Sequence, residues 1–339
     1  MLKIGVIGLG DISKIHIPAI QANPNAELTA VCDLDESLRN TLPDVNFYTD
    51  FQEMLKIESL DCVHVCLPHY LHYPVTKVCV ENGVHVFQEK PLSLNTQEGM
   101  ALAKLEDEHQ AKICVCLQNR YNESFELLQE IIGSNQLGKM IGIKGLVTWY
   151  RPKEYYDVKP WRGKMKLAGG GVMINQALHT IDLMQLLGGE IDSIRGSIDQ
   201  LLDYGIEVED TASAHIQFKN GTKGLFFASN ANAENSSVEL EVSFEKGKFI
   251  IKDSVLTKIN AEGKKEKLIE DAKMPGTKFY YGASHIKLIN QFYTAIINNS
   301  QNYVKVKDAL TSIKMIDAIR QSSEEKRIIN MEELQYANS

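Results

Sequence analysis

The chain has 339 residues, 44% of them hydrophobic and 24% charged, with a formal net charge of −8. This composition belongs to a globular protein: no run approaches the roughly 18 consecutive apolar residues of a membrane span, and the acidic balance excludes a broad basic face for nucleic acid. The N-terminus lacks an apolar leader, and the six cysteines (Cys32, Cys62, Cys66, Cys79, Cys114, Cys116) fall mostly in apolar strand-like runs without a disulfide framework, so a cytoplasmic, reducing location is expected.

The length predicts two domains, placed at 1–119 and 120–339. In the first, short apolar runs at Ile4–Ile7, Leu28–Cys32, Cys62–Leu67, Val84–Phe87 and Ile113–Leu117 read as buried strands. Helical patterns separate them at Ser13–Gln21, Ser37–Asn40, Phe51–Ile57, Pro74–Asn82 and Thr96–Gln110, the last with a cap signature in Asn95 and Glu98. This βαβ rhythm predicts a Rossmann-like, doubly wound parallel sheet.

After Arg120 the pattern changes to a helix (Ser124–Ile132), a strand (Ile141–Tyr150), a basic aromatic loop, a glycine-led helix (Val172–Leu187) and repeated strand-like segments. Thr211–Phe218 alternates Ala212, Ala214, Ile216 and Phe218 against polar partners, and Asn220-Gly221 supplies a hairpin turn before Lys223–Ala228. An α+β domain with a mainly antiparallel open sheet follows, closed by helices at Ala283–Asn298 and Asp308–Ser322. The uncovered face of such a sheet predicts a homodimer or homotetramer, and the domain is assigned to substrate binding and oligomerisation.

Gly8, Gly10, Asp11 and Ile12 lie where the first strand turns into the first helix, the context in which a glycine pattern marks a dinucleotide site. Backbone N–H groups at the helix start favour a pyrophosphate. Ser13 takes the third position of the pattern, a departure from Gly or Ala. Asp33, ending the second strand, is placed to accept ribose hydroxyls and to repel a 2′-phosphate, which predicts NAD, with NADP possible through Arg39; the competing reading is a turn or cap residue.

Hydride transfer at a carbinol carbon needs the hydroxyl proton moved and the developing alkoxide stabilised. Lys90 can supply the charge and His179 can act as base, since imidazole titrates near neutrality. Asn175, His179 and Asp182 stand at helical spacing after Gly169-Gly170-Gly171; a solvated helix face is the plainer reading of that spacing.

Together these residues resemble the glucose-fructose oxidoreductase, inositol dehydrogenase and MocA (Gfo/Idh/MocA) family. The likeness runs through the glycine turn, Pro68 with His72, Glu89-Lys90-Pro91, the glycine-led helix with His179, and the final helices. It implies a catalytic Lys90, a cis proline after it beside the nicotinamide, cofactor contacts from Pro68, His72 and Glu89, and a helix bearing an Asp four residues before a His. Lys90 and His179 match; Asn175 stands in place of the Asp, and an amide cannot relay a proton, so Asn175 is expected to orient substrate. The Asn-Gln-x-x-His form resembles a subgroup that includes UDP-N-acetylglucosaminuronate 3-dehydrogenases.

The segment from Tyr150 to Leu167 concentrates positive charge (Arg151, Lys153, Lys159, Arg162, Lys164, Lys166) with Tyr155, Tyr156 and Trp161. Rings pack on sugar C–H faces and an Arg fork binds carboxylate or phosphate, so Trp161 and Arg162, with Asn175, Arg120 and Tyr121, are the expected substrate contacts; a solvated lysine-rich loop is the alternative. A sugar, sugar acid, nucleotide-sugar or cyclitol is the expected substrate. A redox-neutral, NAD-dependent glycosidase and a non-catalytic dinucleotide sensor are the competing functions on this architecture. Cys62, His64 and Cys66 share a strand face, but the covered face of a parallel strand has no room for an ion, so no metal is expected, and His16, His85, His109, His215 and His285 are read as structural.

Overall fold

The computed structural model describes residues 1–134, 137–272 and 283–334. It divides into two compact units: Met1–Gln118 with Ala283–Leu310, and Asn119–Gly282 with Thr311–Ser339. The first unit thus runs to Gln118 and also takes in residues 283–310, which the expected division at 119/120 gave to the second domain. The reason is visible in the helix Ser284–Ile297, whose buried Phe292 lies 5.9 Å from Phe87 and whose Tyr293 hydroxyl bonds His64, both core residues of the first sheet.

That sheet has strands β1 (Leu2–Ile7), β2 (Ala26–Cys32), β3 (Asn46–Tyr48), β4 (Cys62–Val65), β5 (His85–Gln88) and β6 (Ile113–Val115). They are parallel throughout and ordered β3-β2-β1-β4-β5-β6, the doubly wound arrangement expected. The helices Ser13–Gln21 and Phe51–Ile57 match their expected bounds, and Asn95 caps the helix Thr96–Glu108 by accepting from Glu98 N–H at 2.9 Å. Two expectations fail locally. Ser37–Asn40 is a 3-10 turn (Glu36–Thr41), and the helix placed at Pro74 begins at His69, so that Pro74 sits inside it and forgoes one backbone bond.

The second unit carries β7 (Met140–Thr148), β8 (Ile191–Asp199), β9 (Thr211–Phe218), β10 (Lys223–Ser229), β11 (Glu239–Phe244), β12 (Gly247–Lys252), β13 (Val255–Ile259), β14 (Lys265–Glu270) and β15 (Ile329–Asn330). Their order is β14-β13-β12-β11-β7-β10-β9-β8-β15; every pairing is antiparallel except β7 with β10. Ala212, Ala214, Ile216 and Phe218 are buried as the alternation predicts, and Gly221 takes φ +87° in the hairpin turn. The helix Leu178–Gly188 lies on this sheet at Gly145, where a Cβ would come 2.5 Å from Met184 Sδ and 2.7 Å from Thr180 Cγ2. The opposite face shows Leu225, paired with Lys144, among Glu239, Glu241, Lys248 and Lys252, whose charges pair across strands.

The glycine-led helix is not continuous. It splits into Val172–Asn175 and Leu178–Gly188, because the N–H groups of Gln176 and Ala177 both turn to the Val172 carbonyl. Asn175 and His179 therefore sit on different helices rather than on one shared face. The basic loop holds three short helical segments, Glu154–Asp157, Pro160–Gly163 and Met165–Ala168. Among the described residues no helix is long and apolar enough to cross a membrane.

Candidate active site

In the first unit, β1 ends in a turn whose Gly8 takes φ +95°, and a Cβ there would meet the Cys66 carbonyl oxygen at 2.6 Å. Only glycine fits. At Gly10 a Cβ would meet nothing within 4 Å, so the backbone is open on that side. The helix beyond has Ile12 at its N-cap with no side-chain cap; the Ile15 N–H turns back to the Ile12 carbonyl at 2.9 Å, which leaves the amides of Ser13 and Lys14 to suit an anion, while Asp11 is exposed. Ser13 is buried and donates from Oγ to the Gly10 carbonyl at 2.7 Å. A hydroxyl that closes the turn explains why serine serves at the third position.

Asp33 accepts from Leu9 N–H at 2.7 Å and from Asp35 N–H at 2.9 Å, one bond to each carboxylate oxygen. It is thus the turn residue of the plainer reading, and a lone pair on each oxygen still suits a ribose hydroxyl. Arg39 lies over Phe47 at 4.8 Å and donates to its carbonyl, so its guanidinium is engaged within its own loop. These features, a glycine turn open at Gly10, uncapped amides and a carboxylate at the end of β2, fit an NAD dinucleotide.

Across Val86–Ser93, Lys90 alone is not buried. Its neighbours hold it in place. Glu89 turns inward, accepting from His16 Nε2 at 2.8 Å and from Lys90 N–H at 3.2 Å. Burial alone would raise the Glu89 pKa; the His16 contact overrides it and holds the carboxyl well below its usual range. Burial likewise opposes charge on His16, but Cys66 and Glu89 raise its pKa to about 10. His16 Nδ1 meets His64 Nδ1 at 2.7 Å, and His64 Nε2 meets the Tyr293 hydroxyl at 2.7 Å. Burial and the neighbouring His16 charge keep His64 well below its ordinary value, so it stays neutral between them.

On the other side, Gln88 donates to the Leu92 carbonyl at 2.8 Å and His72 bridges the carbonyls of Pro91 (2.7 Å) and Leu67 (2.8 Å), next to Pro68 at the head of its helix. The Lys90–Pro91 peptide is cis, as the resemblance implies. His72 and Glu89 are buried, and their polar atoms bond protein groups around the Lys90 loop.

In the second unit, the glycine run wraps around Glu209. Val172 N–H donates to the Glu209 carbonyl at 2.9 Å, Met173 N–H to its carboxylate at 3.2 Å, and Arg320 fastens the Gly169 carbonyl at 2.8 Å. Burial raises the Glu209 pKa. From Gly171 to Thr180 only Asn175 and His179 are not buried, so the run delivers two polar side chains to the surface of the unit. Asn175 donates to the Tyr155 hydroxyl, and the Arg162 guanidinium lies over both Tyr155 (4.1 Å) and Trp161 (5.8 Å).

Thus Asn175 and Arg162 meet at Tyr155, named in the sequence only among the aromatic residues of its segment, and Arg162 reaches Trp161 as well. Arg120 does not join them. It makes a bidentate pair with the buried Asp182 carboxylate through Nε and Nη2, both bonds 2.7 Å, and Ser312 adds a third donor at 3.0 Å. Tyr121 ends a 3-10 turn beside it and is partly exposed. His16 shares the buried face of its helix with Ser13 and Ile20, a burial that periodicity could have found, but its pairing with Glu89 left no local signal. Glu209 carried no local signal.

Residues 2–117 match the oxidoreductase family with an NAD-binding Rossmann fold, and residues 125–250 match the GFO/IDH/MocA C-terminal domain. Myo-inositol 2-dehydrogenase of Thermotoga maritima is 23% identical, covering 98% of this chain and 99% of its own. The NADP(+)-dependent scyllo-inositol 2-dehydrogenase of Bacillus subtilis is 22% identical over 98% of this chain and 96% of its own. The crystal structure of the WlbA dehydrogenase from Bordetella pertussis, in complex with NADH and UDP-GlcNAcA, superposes with a TM-score of 0.84 at 26% identity, covering 97% of this chain and 98% of that one.

Proposed function

The chain belongs to the Gfo/Idh/MocA oxidoreductase family, and on that premise we propose that it is an NAD-dependent dehydrogenase of a secondary alcohol on a sugar, sugar acid, nucleotide-sugar or cyclitol. When bound, NAD supplies the hydride acceptor. Lys90 holds the charge of the developing alkoxide, and His179 takes the hydroxyl proton. The observation that carries this reading is selective exposure: Lys90 is the one residue of Val86–Ser93 to emerge from burial, and Asn175 and His179 are the two to emerge from Gly171–Thr180.

Asp33 supports NAD over NADP, because its carboxylate would face a 2′-phosphate while Arg39 is engaged with Phe47. Substrate names among the relatives, inositols and UDP-GlcNAcA, support the polyol class. The buried thiols suit a cytoplasmic setting, and the open face of the second sheet supports a dimer or tetramer, which sedimentation velocity would measure.

The test is NADH formation from NAD with a panel of inositols, hexoses, hexuronates and UDP-sugars, beside a Lys90→Met control. One substrate class should give NADH at a rate that falls at least about 100-fold in the control. Equal rates with and without the Lys90 amine would sink the assignment.

A further inference from the structure

Asn175 stands where the family has an acid, and its amide is bound to a phenol. Asn175 donates from Nδ2 to the Tyr155 hydroxyl oxygen at 2.9 Å, and Gln176 donates from Nε2 to the same oxygen at 3.1 Å. The Gln176 amide is oriented by buried Asn230, which donates to its Oε1 at 3.0 Å. A phenol oxygen that accepts two N–H groups has its one hydrogen left to donate in another direction.

Two guanidiniums lie over the same ring, Arg162 at 4.1 Å and Arg151 at 5.4 Å from its centroid. Both are steadied by neutral acceptors: Arg162 donates to the Tyr155 carbonyl at 3.2 Å, and Arg151 to the Tyr150 carbonyl at 2.8 Å and to Asn235 Oδ1 at 2.9 Å. Lys153 and Lys164 of the same segment pair with Asp157 and Glu207, whereas among the described residues neither arginine has a carboxylate partner. Two unneutralised cations and one hydroxyl donor thus converge beside Asn175.

We infer that Tyr155, with Arg151 and Arg162, selects the substrate by taking an oxyanion on it, a carboxylate or a phosphate, and that Asn175 and Gln176 are positioning residues acting through the phenol. The inference rests on the sugar-dehydrogenase reading for the kind of molecule that carries the oxyanion. Its test is binding, which needs no turnover, so failure of either can be told from failure of the other.

Calorimetric titration of NADH-loaded protein would compare D-glucuronate and D-glucose 6-phosphate with D-glucose, and UDP-glucuronate with UDP-glucose. At least one anion should bind more tightly than its neutral counterpart, and the preferred anion identifies carboxylate or phosphate. Tyr155→Phe keeps the ring and should cut that preference by about 10-fold or more, as should Arg162→Ala, with the neutral sugar moved less than about 2-fold. Asn175→Ala added to Tyr155→Phe should change little further. No preference for either anion in wild-type protein, or equal weakening of neutral and anionic ligands, overturns the selection; fully additive losses in the double variant overturn the positioning role. Anion preference without NADH formation would leave this site standing and remove the dehydrogenase reading.

Discussion

Two glycine-to-alanine changes should behave in opposite ways, and the difference follows from what a single methyl group meets. At Gly171 the added Cβ would lie 1.8 Å from the Glu209 carbonyl oxygen, 2.8 Å from its carbon and 3.1 Å from Val208 Cγ2. The contact is with backbone, and that carbonyl also accepts the 2.9 Å bond from Val172 N–H, so the turn can relieve the overlap only by moving away and breaking the bond. Overpacking plus a buried carbonyl left unsatisfied amounts to about 3–5 kcal/mol. Both tryptophans, Trp149 and Trp161, belong to the second unit, so their fluorescence during urea unfolding reports on the unit that is damaged. At Gly10 the methyl meets nothing within 4 Å. Gly10→Ala should unfold within about 0.5 kcal/mol of wild type yet bind NADH at least about 10-fold more weakly, because the methyl fills the space the cofactor backbone needs. An unchanged fluorescence midpoint for Gly171→Ala would refute the steric argument.

The buried His16–Glu89 pair should show itself in the pH dependence of stability. His16→Leu strands the Glu89 carboxylate and should remove about 3–5 kcal/mol. The folded-state pKa of His16 is raised to about 10, so its contribution is complete below 6.5 and is lost as pH rises through about 10; Glu89, held below its ordinary 4.5, contributes above that value and loses it on acidification. The gap between wild-type and variant melting temperatures should therefore be widest between about pH 4.5 and 6.5 and shrink toward alkaline pH; a gap that widens there contradicts the charge assignment. Arg120→Ala should cost about 3–5 kcal/mol by leaving buried Asp182 without its cation, and Arg120→Lys less. A raised Michaelis constant with unchanged melting temperature would instead return Arg120 to the substrate contacts.

What could be read from the residues depended on the distance over which each feature is decided. The helices Ser13–Gln21 and Phe51–Ile57 and the strand Thr211–Phe218 obey local periodicity, and their bounds are as read. The Lys90 loop was legible as a motif, yet its two supports were not. His16 and His72 find their partners 73 and 19 residues away, and no spacing rule links them. The break at Gln176 is of the same kind: the side chain that follows Asn175 answers to Asn230 and Tyr155, so an unbroken helical pattern gave the wrong local geometry. Strand β3, three residues long, is too short for alternation to register.

The return of residues 283–310 to the first unit bears on how the protein is made. A ribosome releases the six strands of the first sheet early, but the helix that brings Phe292 against Phe87 and Tyr293 to His64 emerges after some 280 residues have been joined. Until then the nascent dinucleotide-binding unit has an apolar flank with no lid, the kind of surface that holdase chaperones recognise. Folding of the cofactor half is thus completed only after strands β7 to β14 of the second unit have been made.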